Sequence, residues 1–237
     1  MPNAASTVRP GRRSTYRDGV DREPPIFPVG HCVGARRVRR GVSFHDLSDA
    51  EFLVWTAAHG SPVALGNREK HGDEQPWHRR HVLEAAGGVD DPAAVLDTLL
   101  ERGLLVEVDR GSATGFARAH RMMPLMLGLG SIADDRSLFG IGFLGQPVLS
   151  VGHVVYDLWQ WSPMDDTLWA TCESAADVAR RAGSTDADYT DPDRLLGGFL
   201  DSLNALVCVH AACLDVPVRL GPAAGVRHLR DIPVQAA

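Results

Sequence analysis

The stretch from Asp90 to Val108, DDPAAVLDTLLERGLLVEV, constrains the fold of this chain more tightly than any other. Asp91 suits a helix N-cap, and Pro92 suits the first helical position, where a missing N–H costs nothing. Val95, Leu96, Leu99 and Leu100 then make one apolar stripe at helical spacing. Gly103 is placed to stop the helix in a left-handed conformation. From Leu104 to Val108 the apolar period changes from that of a helix to that of a strand. After the turn-rich DRGSATG, the spacing allows Gly115 to Ala119 to return as a second strand. Helix, strand, loop, strand is the back half of a winged helix.

The residues upstream supply a front half. In Ala35–Leu47, Val38, Val42 and Phe44 alternate with Arg and polar residues, which predicts a half-buried strand or short hairpin. Ser48 to Glu51 has the capping-box pattern, directly before the apolar Phe52–Trp55, and predicts a helix from Asp49 to His59. Asn67–Gln75 is polar and reads as a loop, and Trp77–Ala86 reads as a second helix broken by Gly87-Gly88. The N-terminal residues are rich in Arg, Ser, Pro and Gly without periodicity, as in a disordered tail.

The second half repeats part of the first. Leu149-Ser150 is expected to open a helix whose Val151, Val154, Val155 and Leu158 form a stripe, ending at Ser162-Pro163. Asp165 or Asp166 is placed to cap a long helix reaching about Ala182. Asp191-Pro192 then reproduces Asp91-Pro92, and Leu195, Leu196, Phe199 and Leu200 match the earlier apolar quartet position for position. A period of roughly 100 residues with the same cap, proline and quartet indicates two related modules. Past Leu203 the copies part, because NALVCVHAACLD has no glycine and no clear wing. The expected fold is therefore mainly α with short β, in the α+β class: tandem winged-helix-like modules joined by a Gly-rich segment. The expected boundaries are a tail over 1–28, a first module over 29–119, a Gly-rich connector over 120–148, a second module over 149–216 and an irregular tail over 217–237.

Charge is distributed unevenly. Residues 1–40 hold nine Arg and three acidic residues, near +6, so the rest of this −6 chain stands near −12. A body that acidic repels phosphate, and DNA affinity rests largely on neutralising phosphates. The exposed face expected for the third helix carries Asp91, Asp97 and Glu101, where a DNA-reading helix needs Arg, Lys, Asn or Gln. The densest basic run, Arg36, Arg37, Arg39 and Arg40, fits either an acidic peptide or nucleic acid, or else an edge strand guarded by charge.

Other motifs carry less. Gly140–Gly145 fits GxGxxG, but Gln146-Pro147-Val148 follows where a dinucleotide site requires a helix start, so a Gly-rich strand or turn is expected. His71, Asp73, Glu74, His78 and His81 match no established metal spacing, and no metal or cofactor is expected. Cys32, Cys172, Cys208 and Cys213 form no CxxC pair and read as reduced core thiols. No nucleophile elbow or convincing carboxylate pair is present, so catalysis is not indicated. The first 25 residues lack an apolar signal core and no run reaches membrane-spanning length, which makes the cytoplasm the expected location and a membrane partner unexpected.

The order of strand patch, SDAEFLVW helix, short helix and DPAAVLDTLLERGLLVEV resembles winged-helix domains, and most resembles the PqqD-type modules that recognise leader peptides of ribosomally made natural products. The resemblance spans Ala35–Val108. It implies a leader peptide that adds a strand to a sheet edge and lies against the third helix. It further implies that the strand around Arg36–Arg40 forms that edge, with Val95 and Leu99 bordering the groove. A tandem acidic pair also resembles, in architecture, the kleisin-associated subunits of chromosome-condensing complexes. The expectation is a non-catalytic peptide- or protein-binding adaptor, with a precursor peptide as one partner. The alternative is a transcriptional regulator whose Arg-rich N-terminal region meets DNA.

Overall fold

The computed structural model describes residues 6–7, 23–60, 77–109 and 111–218. The Arg-rich N-terminal residues, the Asn67–Gln75 loop and the end of the C-terminal tail lie outside them. Within them the chain is α+β, with eight α-helices and eleven strands in four small sheets. None of these helices is long and apolar enough to cross a membrane.

Strand β1 (Ser6–Thr7) is followed by β2 (Ile26–Pro28) and an antiparallel meander of β3 (His31–Gly34), β4 (Arg37–Arg40) and β5 (Ser43–Asp46). Helix α1 (Asp49–Ala57) starts on a complete capping box: the Ser48 hydroxyl accepts from the Glu51 N–H, and the Glu51 carboxylate accepts from the Ser48 N–H. Helices α2 (Arg79–Ala85) and α3 (Pro92–Glu101) follow. Asp91 caps α3 through the Ala94 N–H at 3.2 Å, and Gly103 ends it at φ 65°. Ile26, Val38, Leu47, Val54, Trp55, Leu96, Leu99 and Leu105 form the core beneath these helices.

The tandem winged-helix expectation does not survive the strand pairing. Strand β6 (Leu105–Glu107) forms where the change of period predicts, but it pairs with β2, in the register Phe27↔Val106, and makes no hairpin. Gly115–Ala119, expected as the returning wing strand, lies in helix α4 (Ala113–Ala119). The helix buries Phe116 and Ala117 on one face, with the Phe116 ring stacked 6.1 Å from Phe27. β2 therefore takes the place beside β6 that the wing strand was expected to fill. The expected tail also ends early, since Ile26–Pro28 is a buried strand.

The Gly-rich segment is extended, as expected: β7 (Arg121–Pro124), β8 (Leu127–Ser131), β9 (Leu138–Phe143) and β10 (Gln146–Gly152). The sheet order is β1-β10-β9-β8, with β1 parallel to β10. Leu149–Gly152, expected to open a helix, is the end of β10, and helix α5 (His153–Trp161) begins after it. Leu149 and Val151 point from that strand into the core, so their spacing serves a sheet face and not a helix stripe. Helix α6 (Leu168–Arg181) is capped by Thr167 in place of Asp165 or Asp166, and the short α7 (Ala187–Thr190) leads to α8 (Pro192–Cys208). Strand β11 (Ala212–Asp215) pairs antiparallel with β7.

The β2–β6 ribbon stands between two cores. Ile26 and Leu105 belong to the helical core, while Phe27 and Val106 face the larger one. That larger core draws Trp77 and Phe116 from the first half, Ile141 from the Gly-rich segment, and Leu158, Leu168 and Phe199 from the second. A two-residue period makes such sharing possible, because alternate side chains leave opposite faces of the ribbon.

Candidate functional site

The basic run falls on the meander, but β4 is its central strand, flanked by β3 and β5. Arg36–Arg40 therefore does not form the sheet edge, and the edge-guard explanation of its charge fails with it. A central position follows from Val38, which is fully buried and anchors β4 to the helical core.

The four arginines divide into two pairs. Arg36 sits in the β3–β4 turn at φ 58° and forms an ion pair with Asp49 at the start of α1. Arg37 binds Asp46 across the β4–β5 pair with two hydrogen bonds, of 2.6 and 3.0 Å. The bond from Arg37 holds the Asp46 carboxyl below the usual carboxylate range, and Asp46 raises the guanidinium in return. Arg39 and Arg40 are half-buried, and among the described residues neither has a hydrogen-bond partner at Nε or a carboxylate in ion-pair reach. Arg39 lies between its cross-strand neighbours His31 and Phe44. Arg40 reaches toward Gly103 at the end of α3. Burial, Arg102 and then Arg40 hold His45 below the ordinary histidine value.

Val95 and Leu99, expected to border a groove, have structural work instead. Leu99 is fully buried in the helical core and Val95 packs half-buried against it, so Leu99 is closed to any partner. The acidic face of α3 is partly neutralised, since Asp97 pairs with Arg79, and Arg102 pairs with Glu51 of α1.

The two edges of the meander differ. β3 is irregular in register between Cys32 and Gly34, and its entry is covered where the Gly30 N–H donates to the Leu214 carbonyl at 2.7 Å. β5 pairs with β4 in unbroken register from Arg37↔Asp46 to Arg40↔Ser43. It presents Phe44 at 63% exposure, next to Val42 at 76%. β5 carries no bulge, and its entry is tied to β11 where the Gly41 N–H donates to the Asp215 carboxylate.

The remaining motifs stay structural. Gly140–Gly145 runs from β9 into the β9–β10 turn, with Gly145 at φ 76°. Cys32 is not the core thiol expected: it is exposed and donates to the Gly34 carbonyl, while Cys172, Cys208 and Cys213 are buried, which pushes their thiols up to about 12. His71, Asp73 and Glu74 lie outside the described residues, and no set of three possible metal ligands comes together among the described ones.

Sequence reasoning missed Asp215, which is 1% exposed at the end of β11. Its Oδ1 accepts from the Gly41 N–H at 2.6 Å and the Val216 N–H at 2.8 Å, tying β11 to the β4–β5 turn. An Asp before Val-Pro-Val, at the end of the expected second module, carries no signal of burial. Comparison with protein-family models, curated proteins and solved structures finds no match to this chain.

Proposed function

We propose that this chain is a non-catalytic binding protein that takes an acidic peptide as an added strand along β5. The reading extends the resemblance of residues 35–108 to PqqD-type modules and makes a precursor peptide of a modified natural product the partner. It moves the docking edge from Arg36–Arg40 to Ser43–Asp46. The observation that carries it is an edge strand in unbroken register with an exposed Phe44 opposite an arginine that has no carboxylate in ion-pair reach among the described residues. In strand addition, main-chain hydrogen bonds give affinity and alternate side chains give specificity. Phe44 and Val42 would contact apolar residues of the peptide, and Arg39 an acidic one.

A titration of the isotope-labelled protein with acidic peptides containing an aromatic residue tests this by amide chemical shifts. Contiguous shifts over Ser43–Asp46 are expected, with Phe44→Asp and Arg39→Glu each weakening binding about tenfold, or about 1.4 kcal/mol. Arg37→Glu, whose side chain is occupied by Asp46, has the smaller effect alone, and the Arg37→Glu, Arg39→Glu double variant binds worst. Unchanged affinity in Phe44→Asp and Arg39→Glu would overturn the site. A sequence-specific mobility shift with its own upstream DNA at moderate salt would favour the regulator reading instead.

A further inference from the structure

Four of the five tryptophans are buried, whereas Trp161 is 56% exposed. It closes helix α5, and Met164, three residues on, is 78% exposed at the end of a single 3-10 turn over Ser162–Met164. Side chains three apart eclipse along a 3-10 turn, and those four apart share a helix face. His153, Asp157, Trp161 and Met164 therefore line one side of this element, and all four are exposed. The packed side of α5 carries Tyr156, Leu158 and Trp159, and the Trp159 indole donates to the Ala211 carbonyl at 2.9 Å. At the head of the exposed stripe the His153 ring meets Tyr189 of α7 at 5.5 Å.

The surroundings of Trp161 and Met164 are acidic. From Ser137 to Ala179 the sequence holds Asp157, Asp165, Asp166, Glu173 and Asp177, and no Lys or Arg. Asp157 lies one turn before Trp161 on the same face, and Asp165 and Asp166 follow Met164 directly. Asp165 accepts from the Ser174 hydroxyl at 3.1 Å, and among the described residues Asp157, Asp165 and Asp166 have no ion pair. Asp177, by contrast, is paired with Arg180. Two cations border the region: Arg118 lies over the Trp169 ring at 5.1 Å, and Arg121 is half-buried on β7, which packs against the Ser162–Met164 turn. Tryptophan and methionine are side chains that the centres of protein interfaces favour, with charge at the rim.

We infer that the Trp161–Met164 end of α5 is a docking surface for a basic segment of a protein partner, one that carries an apolar residue flanked by Lys or Arg. The apolar residue covers the Trp161 and Met164 side chains, and the cations meet Asp157, Asp165 and Asp166. A guanidinium or ammonium above the exposed indole adds a cation–π contact. Charge selects this occupant over two others. An acidic peptide of the kind proposed for β5 meets three carboxylates here, and the same surface of a second copy is repelled in the same way. The surface lies on other elements than β5 and does not rest on the strand-addition reading.

The test uses the full chain and a fluorescein-labelled helical peptide, free of Trp, with Leu along one face and Arg along the other. Anisotropy reads the affinity, and acrylamide quenching of the protein's indoles reads whether Trp161 is covered. Saturable binding with protection of the exposed indole is expected, weakening about tenfold from low to moderate salt. Trp161→Ser and Met164→Ser should each weaken binding about fivefold. Asp157→Asn combined with Asp166→Asn should weaken it similarly and flatten the salt dependence. Glu84→Gln combined with Glu101→Gln, exposed carboxylates of the first half, should leave it unchanged. All of these positions are exposed, so each variant should keep the parent circular dichroism spectrum. No saturable binding at low salt, no weakening by Trp161→Ser and Met164→Ser, or equal weakening by the first-half pair would overturn the site. Equal affinity for a peptide with Glu in place of Arg would overturn the basic character of the partner. A concentration-dependent dimer in sedimentation that Trp161→Ser dissolves would make a second copy the occupant instead.

Discussion

Helices α3 and α8 both open on an Asp cap followed by proline, and both carry an apolar quartet one turn later. α3 nevertheless stops after ten residues, while α8 runs for seventeen. The position that holds Gly103 in the first holds Leu203 in the second. Gly103 takes a left-handed conformation and hands the chain to β6, whereas Leu203 is fully buried and the helix continues into the larger core. The surroundings diverge as well. α3 is a boundary helix whose Asp97 is tied to Arg79 at the surface, and α8 buries every residue from Ser202 to Cys208. The same opening signal therefore fixes where a helix starts and which face it buries, but not how long or how central it becomes.

The largest effects should come from cutting each quartet. Phe199→Ala is expected to cost about 3–5 kcal/mol and Leu99→Ala about 2–5 kcal/mol in chemical denaturation. Because the β2–β6 ribbon faces both cores, either variant should shift one shared transition. If Leu99→Ala melts the first half alone, with the second half still folded, the two cores are separable and the comparison is between domains.

The two halves also meet at His59, at the end of α1, whose ring lies 5.0 Å from that of His210 just before β11. Burial, and then His210, lower the His59 pKa from 6.5 to about 4, and its Nδ1 lies 3.1 Å from the Trp55 carbonyl. A depressed histidine favours the neutral folded state. Stability is therefore complete above about pH 6.5 and falls as the pH drops toward 4, because the unfolded chain takes up the proton first. The full loss corresponds to about 3 kcal/mol. Denaturation of His59→Phe across that interval should show a flatter pH profile, and an unchanged slope would remove His59 as its cause.

The caps sharpen the comparison further. Asp91 caps α3 from a left-handed conformation at φ 46°, whereas Asp191 caps α8 from an extended one at φ −106°. Losing either cap costs about 0.5–2 kcal/mol. Alanine at 91 also carries the left-handed penalty of about 1–2 kcal/mol, so Asp91→Ala should be the more damaging by thermal melting. Equal melting points would mean that the backbone at 91 relaxes. The smallest effect belongs to the surface pair: Asp97→Ala should cost about 0.2–1 kcal/mol, with the difference fading at high salt.

Much of the local structure is legible in the residues. Ser48 and Glu51 mark the start of α1, Asp91 and Gly103 bracket α3, and the change of period after Gly103 marks β6. Two segments are read wrongly for an identifiable reason. Gly115–Ala119 lacks any strong period, and Leu149–Gly152 lies in a run of valines whose spacing fits a helix as well as a sheet face. Of the candidate site, the charge of Arg36–Arg40 is visible in the sequence. The division into ion-paired Arg36 and Arg37 and, among the described residues, unpaired Arg39 and Arg40 is not, because Asp46 and Asp49 lie on other elements than the arginines they meet.

What the sequence by itself determined is the set of local decisions: caps, glycine stops, and the apolar face of each helix. These depend on residues within one or two turns of each other. Only the tertiary structure decided which strands pair. β2 joins β6 across more than seventy residues, and β11 joins β7 across almost ninety. Backbone N–H and C=O groups are alike in every residue, so a strand's partner is chosen by burial and geometry and not by any motif. That choice replaced the expected wing with a shared ribbon, made β4 central, and left β5 as an edge beside Arg39.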